Sequence, residues 1–135
     1  MTVKQLDHLN LTVKDFDESA QWYKRVFGFE IVEQGVRNGN KWGILQSGDA
    51  LLCIYQDPKR SAPGDGPELQ HRIYHFGLRI TDKEKWEETI AKEHIQVEYG
   101  GAIDYPHSLS WYLSDPTGHE IEVALWNNDQ IRFAS

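Results

Sequence analysis

Cysteine is almost absent from this chain of 135 residues; Cys53 is the only one. One thiol cannot close an intrachain disulfide or supply a cysteine-rich zinc site, so neither staples the fold. Cations are also scarce. Lys and Arg total 14 against 21 Asp and Glu, a formal net charge of −7. A surface of that sign repels phosphate backbones, which argues against a nucleic-acid partner. Long apolar runs are missing as well. None approaches the roughly 18 residues that a membrane-spanning helix requires, so no membrane partner is expected. The opening MTVKQLDHLN has neither the basic nor the apolar block of a secretory signal, and a cytoplasmic protein is expected. Apolar side chains, by contrast, are plentiful: 39% of residues are hydrophobic and 12% aromatic. That is too many for a disordered chain, and a chain of this size can bury about two thirds of its unfolded surface.

The sequence repeats itself. LDHLNLTVKD at 6–15 aligns without gaps on IYHFGLRITD at 73–82, pairing His8 with His75, Leu11 with Leu78, Val13 with Ile80 and Asp15 with Asp82. After Asp15, the residues Phe16, Ala20, Tyr23 and Phe27 recur at the period of an amphipathic helix, with Asp15 as N-cap and Gly28 as stop. After the second copy, Thr81 and Glu84 form a capping box, Trp86 and Ile90 mark a shorter apolar stripe, and IQVEY at 95–99 reads as a returning strand. Each half then offers two further strands. KWGILQS and ALLCIYQ flank Ser47-Gly48-Asp49, and LSWYLS and EIEVALW flank Asp115-Pro116-Thr117-Gly118. The expectation is an α+β fold of two βαβββ modules, about 4–57 and 71–127. A Pro/Gly-rich linker at 58–70 joins them.

Side chains alternate across a strand, so parity sorts the polar residues. Leu9, Leu11 and Val13 share one face, with His8, Asn10 and Thr12 opposite. Phe76, Leu78 and Ile80 share one face, with His75, Gly77 and Arg79 opposite. Ile121, Val123 and Leu125 oppose Glu120, Glu122 and Trp126. The aliphatic faces belong under the helices. The other faces carry two imidazoles and a carboxylate, a donor set suited to one divalent metal with open positions. Trp42 and Trp126 are candidate cavity walls that favour an apolar or aromatic substrate, and Arg79 lies on the cavity parity. His71, His94, His107 and His119 fall in loops, turns or helix ends and read as surface residues, with His71 the best spare ligand. Cys53 reads as a small buried hydrophobe.

These segments resemble the vicinal oxygen chelate superfamily, which includes glyoxalase-like, bleomycin-resistance-like, fosfomycin-resistance and extradiol dioxygenase proteins. The resemblance is carried by LDHLNLTVKDFDESAQWYKRVFGF, YHFGLRITD and SWYLSDPTGHEIEV. It implies a glyoxalase-like fold, a curved, barrel-like mixed sheet with helices on the outer face. It also implies metal ligands at His8, His75 and Glu122, and pairing as a homodimer. The metal would be Zn, Ni, Mn or Fe. The fosfomycin-type members place a substrate-binding hydroxyl where this chain has Asn10, and a Tyr where it has Tyr112. Tyr112 and Glu122 are therefore the catalytic candidates, and Asn10, Trp42, Arg79 and Trp126 the substrate-binding ones. Cys53 stands where the first module would match Glu122, and the absence of a carboxylate there speaks against glyoxalase I chemistry. The implied function is metal-dependent lyase, isomerase or thiol-transferase chemistry on a small oxygen-chelating substrate. The alternatives are a metal-free antibiotic-sequestering protein and an Fe(II) extradiol-type dioxygenase.

Overall fold

The computed structural model describes residues 1–63 and 71–133. The chain divides into two compact units, Met1–Ala62 and Pro63–Ser135. The first holds β1 (Leu9–Val13), α1 (Phe16–Phe27), β2 (Glu30–Arg37), β3 (Asn40–Ser47) and β4 (Ala50–Gln56). The second holds β5 (Phe76–Arg79), α2 (Lys83–Lys92), β6 (Ile103–Tyr105), β7 (Ser108–Ser114) and β8 (Glu120–Trp126). Each is a four-stranded mixed sheet with one helix, and the fold is α+β. The strand orders match, β1-β4-β3-β2 and β5-β8-β7-β6. In each, the first strand lies parallel to the last and the remaining pairs are antiparallel. Of the linker expected at 58–70, residues 64–70 lie outside the described residues.

In the first unit, α1 starts where an Asp15 carboxylate oxygen accepts the Glu18 amide at 2.9 Å. It stops where Gly28 takes φ 71°, a left-handed conformation open to glycine, and donates to the Lys24 carbonyl. The helix packs on β2, β3 and β4. Its buried side chains are Phe16, Ser19, Ala20, Tyr23 and Val26. Val26, not Phe27, closes the stripe; Phe27 is half-buried beside Trp22. Leu11, Val13, Leu45, Leu52 and Ile54 rise from the sheet to meet the helix. Full burial of each such side chain contributes about 1.5–3 kcal/mol. Gly43 lies directly beneath the Phe16 ring, and a Cβ there would come within 2.8 Å of it.

In the second unit the cap of α2 is Asp82, not Thr81. The Asp82 carboxylate accepts the Lys85 amide at 3.0 Å, one residue later than the capping-box spacing suggested. Trp86 is the buried anchor of this helix and meets Trp111 of β7 edge to face. Leu113, Ile121 and Val123 complete the core of this unit. The strand expected at 95–99 does not form, and β6 lies further on, at Ile103–Tyr105. The backbone instead turns repeatedly, with positive φ at His94, Tyr99, Gly100 and Gly101. A backbone bond from the Glu98 amide to the Tyr112 carbonyl ties this segment to β7 where a ladder was expected.

The Asp115-Pro116-Thr117-Gly118 turn has a physical rationale. One oxygen of the buried Asp115 carboxylate accepts the amides of Thr117, Gly118 and His119 at 2.9, 2.8 and 2.8 Å. That fixes the hairpin that delivers β8. Replacing Asp115 with Ala is expected to cost about 2–3 kcal/mol, because three half-buried amides lose a charged acceptor. Gly43→Ala is expected to cost about 1–3 kcal/mol by overpacking against Phe16. Urea denaturation measures both, and a loss below 0.5 kcal/mol in either variant (about the surface-substitution range) would refute the corresponding contact.

Candidate functional site

The face of the second sheet away from α2 gathers a connected set of polar groups. Glu122 on β8 lies opposite Gly77 on β5 and Tyr112 on β7. His75, one residue ahead of β5, brings its Nε2 to 3.0 Å from Glu122 Oε2. The Ser110 hydroxyl donates to the other carboxylate oxygen, Oε1, at 2.8 Å. Both oxygens of a carboxylate whose side chain is only 23% exposed are thereby engaged. The His75 ring meets the Tyr112 ring edge to face, and the Tyr112 hydroxyl shares a 2.9 Å hydrogen bond with that of Tyr105. Burial, that bond and the charge on Glu122 push the Tyr112 phenol well above its usual range. It is a hydrogen-bond donor at neutral pH, not a base. Tyr99 meets Tyr112 edge to face and donates to Glu120 Oε1 at 2.6 Å.

The other candidates of this unit are differently engaged. Arg79 Nη1 reaches Asp129 Oδ1 at 3.2 Å. Trp126 packs edge to face on Phe133.

In the first unit, His8 lies one residue ahead of β1, just as His75 precedes β5. Its Nδ1 donates to Asp7 Oδ2 at 2.7 Å, which leaves Nε2 as the ring nitrogen not engaged by that carboxylate. Asn10 pairs in register with Cys53, as Gly77 pairs with Glu122. The two sheets are thus equivalent at these positions, with a thiol where the other holds a carboxylate. A cavity of about 180 Å³ opens on this face, lined by Asn10, Arg37, Trp42, Ile44, Cys53 and Tyr55 among others. It brings together two of the expected substrate-binding residues, Asn10 and Trp42. Burial, and then the charge on Asp7, raise the Cys53 thiol above its ordinary value.

Of the three expected metal ligands, His75 and Glu122 are in contact, and His8 belongs to the first unit. Among the described residues, no three His, Cys, Asp or Glu side chains form a group suited to a metal. The pair itself fits one. Donors bound at right angles to a cation at about 2.0–2.2 Å stand about 3 Å apart, which matches the separation here.

Sequence reading missed Ser110, Tyr105, Arg37 and Tyr55. Ser110 was within reach, since it shares the parity of Tyr112. Arg37 was not, because an irregularity between Ile31 and Glu33 shifts the register of β2.

Comparison with known proteins adds the relationships. Bacillus subtilis (strain 168) catechol-2,3-dioxygenase is 26% identical over 141 residues, covering 93% of this chain but only 45% of that protein. The metallothiol transferase FosB of Staphylococcus epidermidis is 22% identical over 125 residues, covering 91% of this chain and 82% of that one. The crystal structure of a glyoxylase/bleomycin resistance protein/dioxygenase domain from Frankia sp. EAN1pec superposes with a TM-score of 0.78 at 16% identity and covers 96% of both chains. The model of the Glyoxalase/Bleomycin resistance protein/Dioxygenase superfamily matches residues 5–123, a span that takes in both units. The chain belongs to that superfamily.

Proposed function

We propose that this protein is a metal-dependent enzyme acting on a small substrate that offers oxygen donors, with His75, Glu122 and His8 as the metal ligands. The observation that carries it is the His75 Nε2 to Glu122 Oε2 separation of 3.0 Å, with Ser110 holding the carboxylate from behind. His8, from the same chain or a second copy, completes the set, and Asp7 keeps its Nε2 available. A divalent cation held there supplies Lewis-acid stabilisation of negative charge on substrate oxygens.

The remaining roles belong to the chain itself. Ser110 restricts rotation of the Glu122 carboxylate. Tyr112, kept protonated by burial and by Tyr105, donates a hydrogen bond to a substrate oxygen and orients it. Asn10 and Trp42 contact the rest of the substrate, while Arg79 and Trp126 border it. Cys53 is a wall of the cavity rather than a nucleophile, since its raised pKa keeps it a thiol at neutral pH. A homodimer is part of the same proposal. Exposed Leu6 and Ile73, near the two histidines, give a second copy apolar surface to cover. Similarity to the Bacillus subtilis dioxygenase favours a second reading, Fe(II)-dependent cleavage of a catechol. Oxygen uptake with catechol and Fe(II) separates the two.

Calorimetric titration of the stripped protein with Mn(II), Ni(II), Zn(II) and Fe(II) is expected to reveal one saturable site per chain. His75→Ala and Glu122→Gln should each weaken it at least tenfold, and Ser110→Ala should weaken it less. Unchanged affinity in His75→Ala would end the metal-dependent reading. Alkylation of Cys53 by iodoacetamide should follow a pH profile with its inflection above 9.0. At pH 8 it should run slower than that of free cysteine. An inflection at or below 8 would restore Cys53 as a nucleophile candidate.

A further inference from the structure

The cavity on the first sheet has a chemistry of its own. Its walls are the Trp42 indole, the Tyr55 ring, the Ile44 side chain and the Cys53 thiol, with the Asn10 amide at one side. These are mostly apolar and aromatic surfaces, and the thiol is uncharged at neutral pH. A volume of about 180 Å³ is close to that of a cavity known to hold one benzene ring, about 150 Å³. It is smaller than the ~300–1,000 Å³ of drug-sized pockets. The walls therefore suit a single ring.

The indole is held in place before any ligand arrives. Trp42 lies against Gly35 across the β2–β3 ladder, where even a Cβ would come within 3.0 Å of the ring. Only glycine allows that approach. The Tyr55 hydroxyl donates to the Arg37 carbonyl at 3.2 Å, which ties the end of β2 to β4. Arg37 lines the cavity with its guanidinium carbon 6.0 Å from the centre of the indole. In a chain with 21 acidic residues, no ion pair with a carboxylate engages Arg37 among the described residues. An exposed cation beside an aromatic cleft, with its five donors uncommitted to any acid, is a receptor for a carboxylate.

We infer that this cavity binds a single-ring aromatic carboxylate, with the ring against Trp42 and Tyr55 and the carboxylate on Arg37. As a statement about the enzyme's substrate class it rests on the metal-dependent reading above; as a statement about binding it does not. Neither His75 nor Glu122 takes part, so the test uses metal-free protein in the presence of a chelator. Calorimetry with benzoate should give saturable binding at one site per chain. Benzyl alcohol should bind about tenfold more weakly, since it keeps the ring but loses the charge-assisted pair. Acetate should not bind measurably.

Arg37 is exposed, so Arg37→Gln leaves the fold intact and should erase the preference for benzoate over benzyl alcohol. Trp42→Leu should weaken both ligands, and Gly35→Ala, which displaces the indole, should do the same. Equal affinity for benzoate and benzyl alcohol, an unchanged preference in Arg37→Gln, or no saturable binding of benzoate would each overturn the inference. The two proposals fail separately. Protein that binds benzoate but takes up no metal contradicts the metal-dependent reading alone, and protein that takes up metal but does not bind benzoate contradicts this one alone. His75→Ala should lose metal and keep benzoate.

Discussion

A pleated strand sends neighbouring side chains to opposite faces, and every functional assignment in this protein depends on that alternation. Leu11 and Val13 go under α1 because Asn10 and Thr12 go the other way. Ile121 and Val123 go toward Trp86 and Trp111 because Glu122 goes toward His75 and Ser110. A slip of one residue would turn Glu122 toward the helix in the β5–β8 pair, or Asn10 or Cys53 in the β1–β4 pair, and expose the core. Two separate caps guard against that slip, Asp15 and Asp82, which fix where each helix leaves its strand. The Asp115 carboxylate, bound by three successive amides, fixes where β8 begins.

The same alternation leaves each sheet with a polar face, and the two faces differ in electrostatic character. In the second unit, a half-buried carboxylate is satisfied by an imidazole and a hydroxyl and surrounded by tyrosines. That arrangement offsets the cost of keeping charge away from water and leaves two donors at a spacing a cation accepts. In the first unit the matching position is a neutral thiol, and the formal positive charge belongs to Arg37. One face presents a carboxylate beside an imidazole, and the other presents a guanidinium beside an indole.

Equivalent positions in the two units also explain why Cys53 is what it is. Asn10 opposite Cys53 and Gly77 opposite Glu122 occupy the same place in their ladders. Gly77 leaves open space beside Glu122, with nothing but a distant carbonyl near its missing Cβ. Asn10 stands at the corresponding position in the first unit and lines its cavity. Burial, and then the charge on Asp7, raise the pKa of the thiol, so the first unit lines its cavity with a neutral group where the second holds a carboxylate.

Much of this was legible in the amino-acid order because it is local. The period of Phe16, Ala20 and Tyr23, the Asp15 cap, the Gly28 stop and the paired His8 and His75 segments are properties of short stretches. The α+β repeat and the polar strand faces follow from them. Segment 95–99 was misread as a strand because its alternation is genuine; what prevents pairing is a run of left-handed residues through Tyr99, Gly100 and Gly101. Thr81 was misread as a cap because Thr and Asp at neighbouring positions both suit the role, and only backbone geometry chooses Asp82. Tertiary structure alone decided that Ser110 and His75 grip the two oxygens of Glu122, and that Arg37 lines a cavity with Trp42. Those contacts join residues on different strands, whose register depends on bulges and turns that the order of residues does not display.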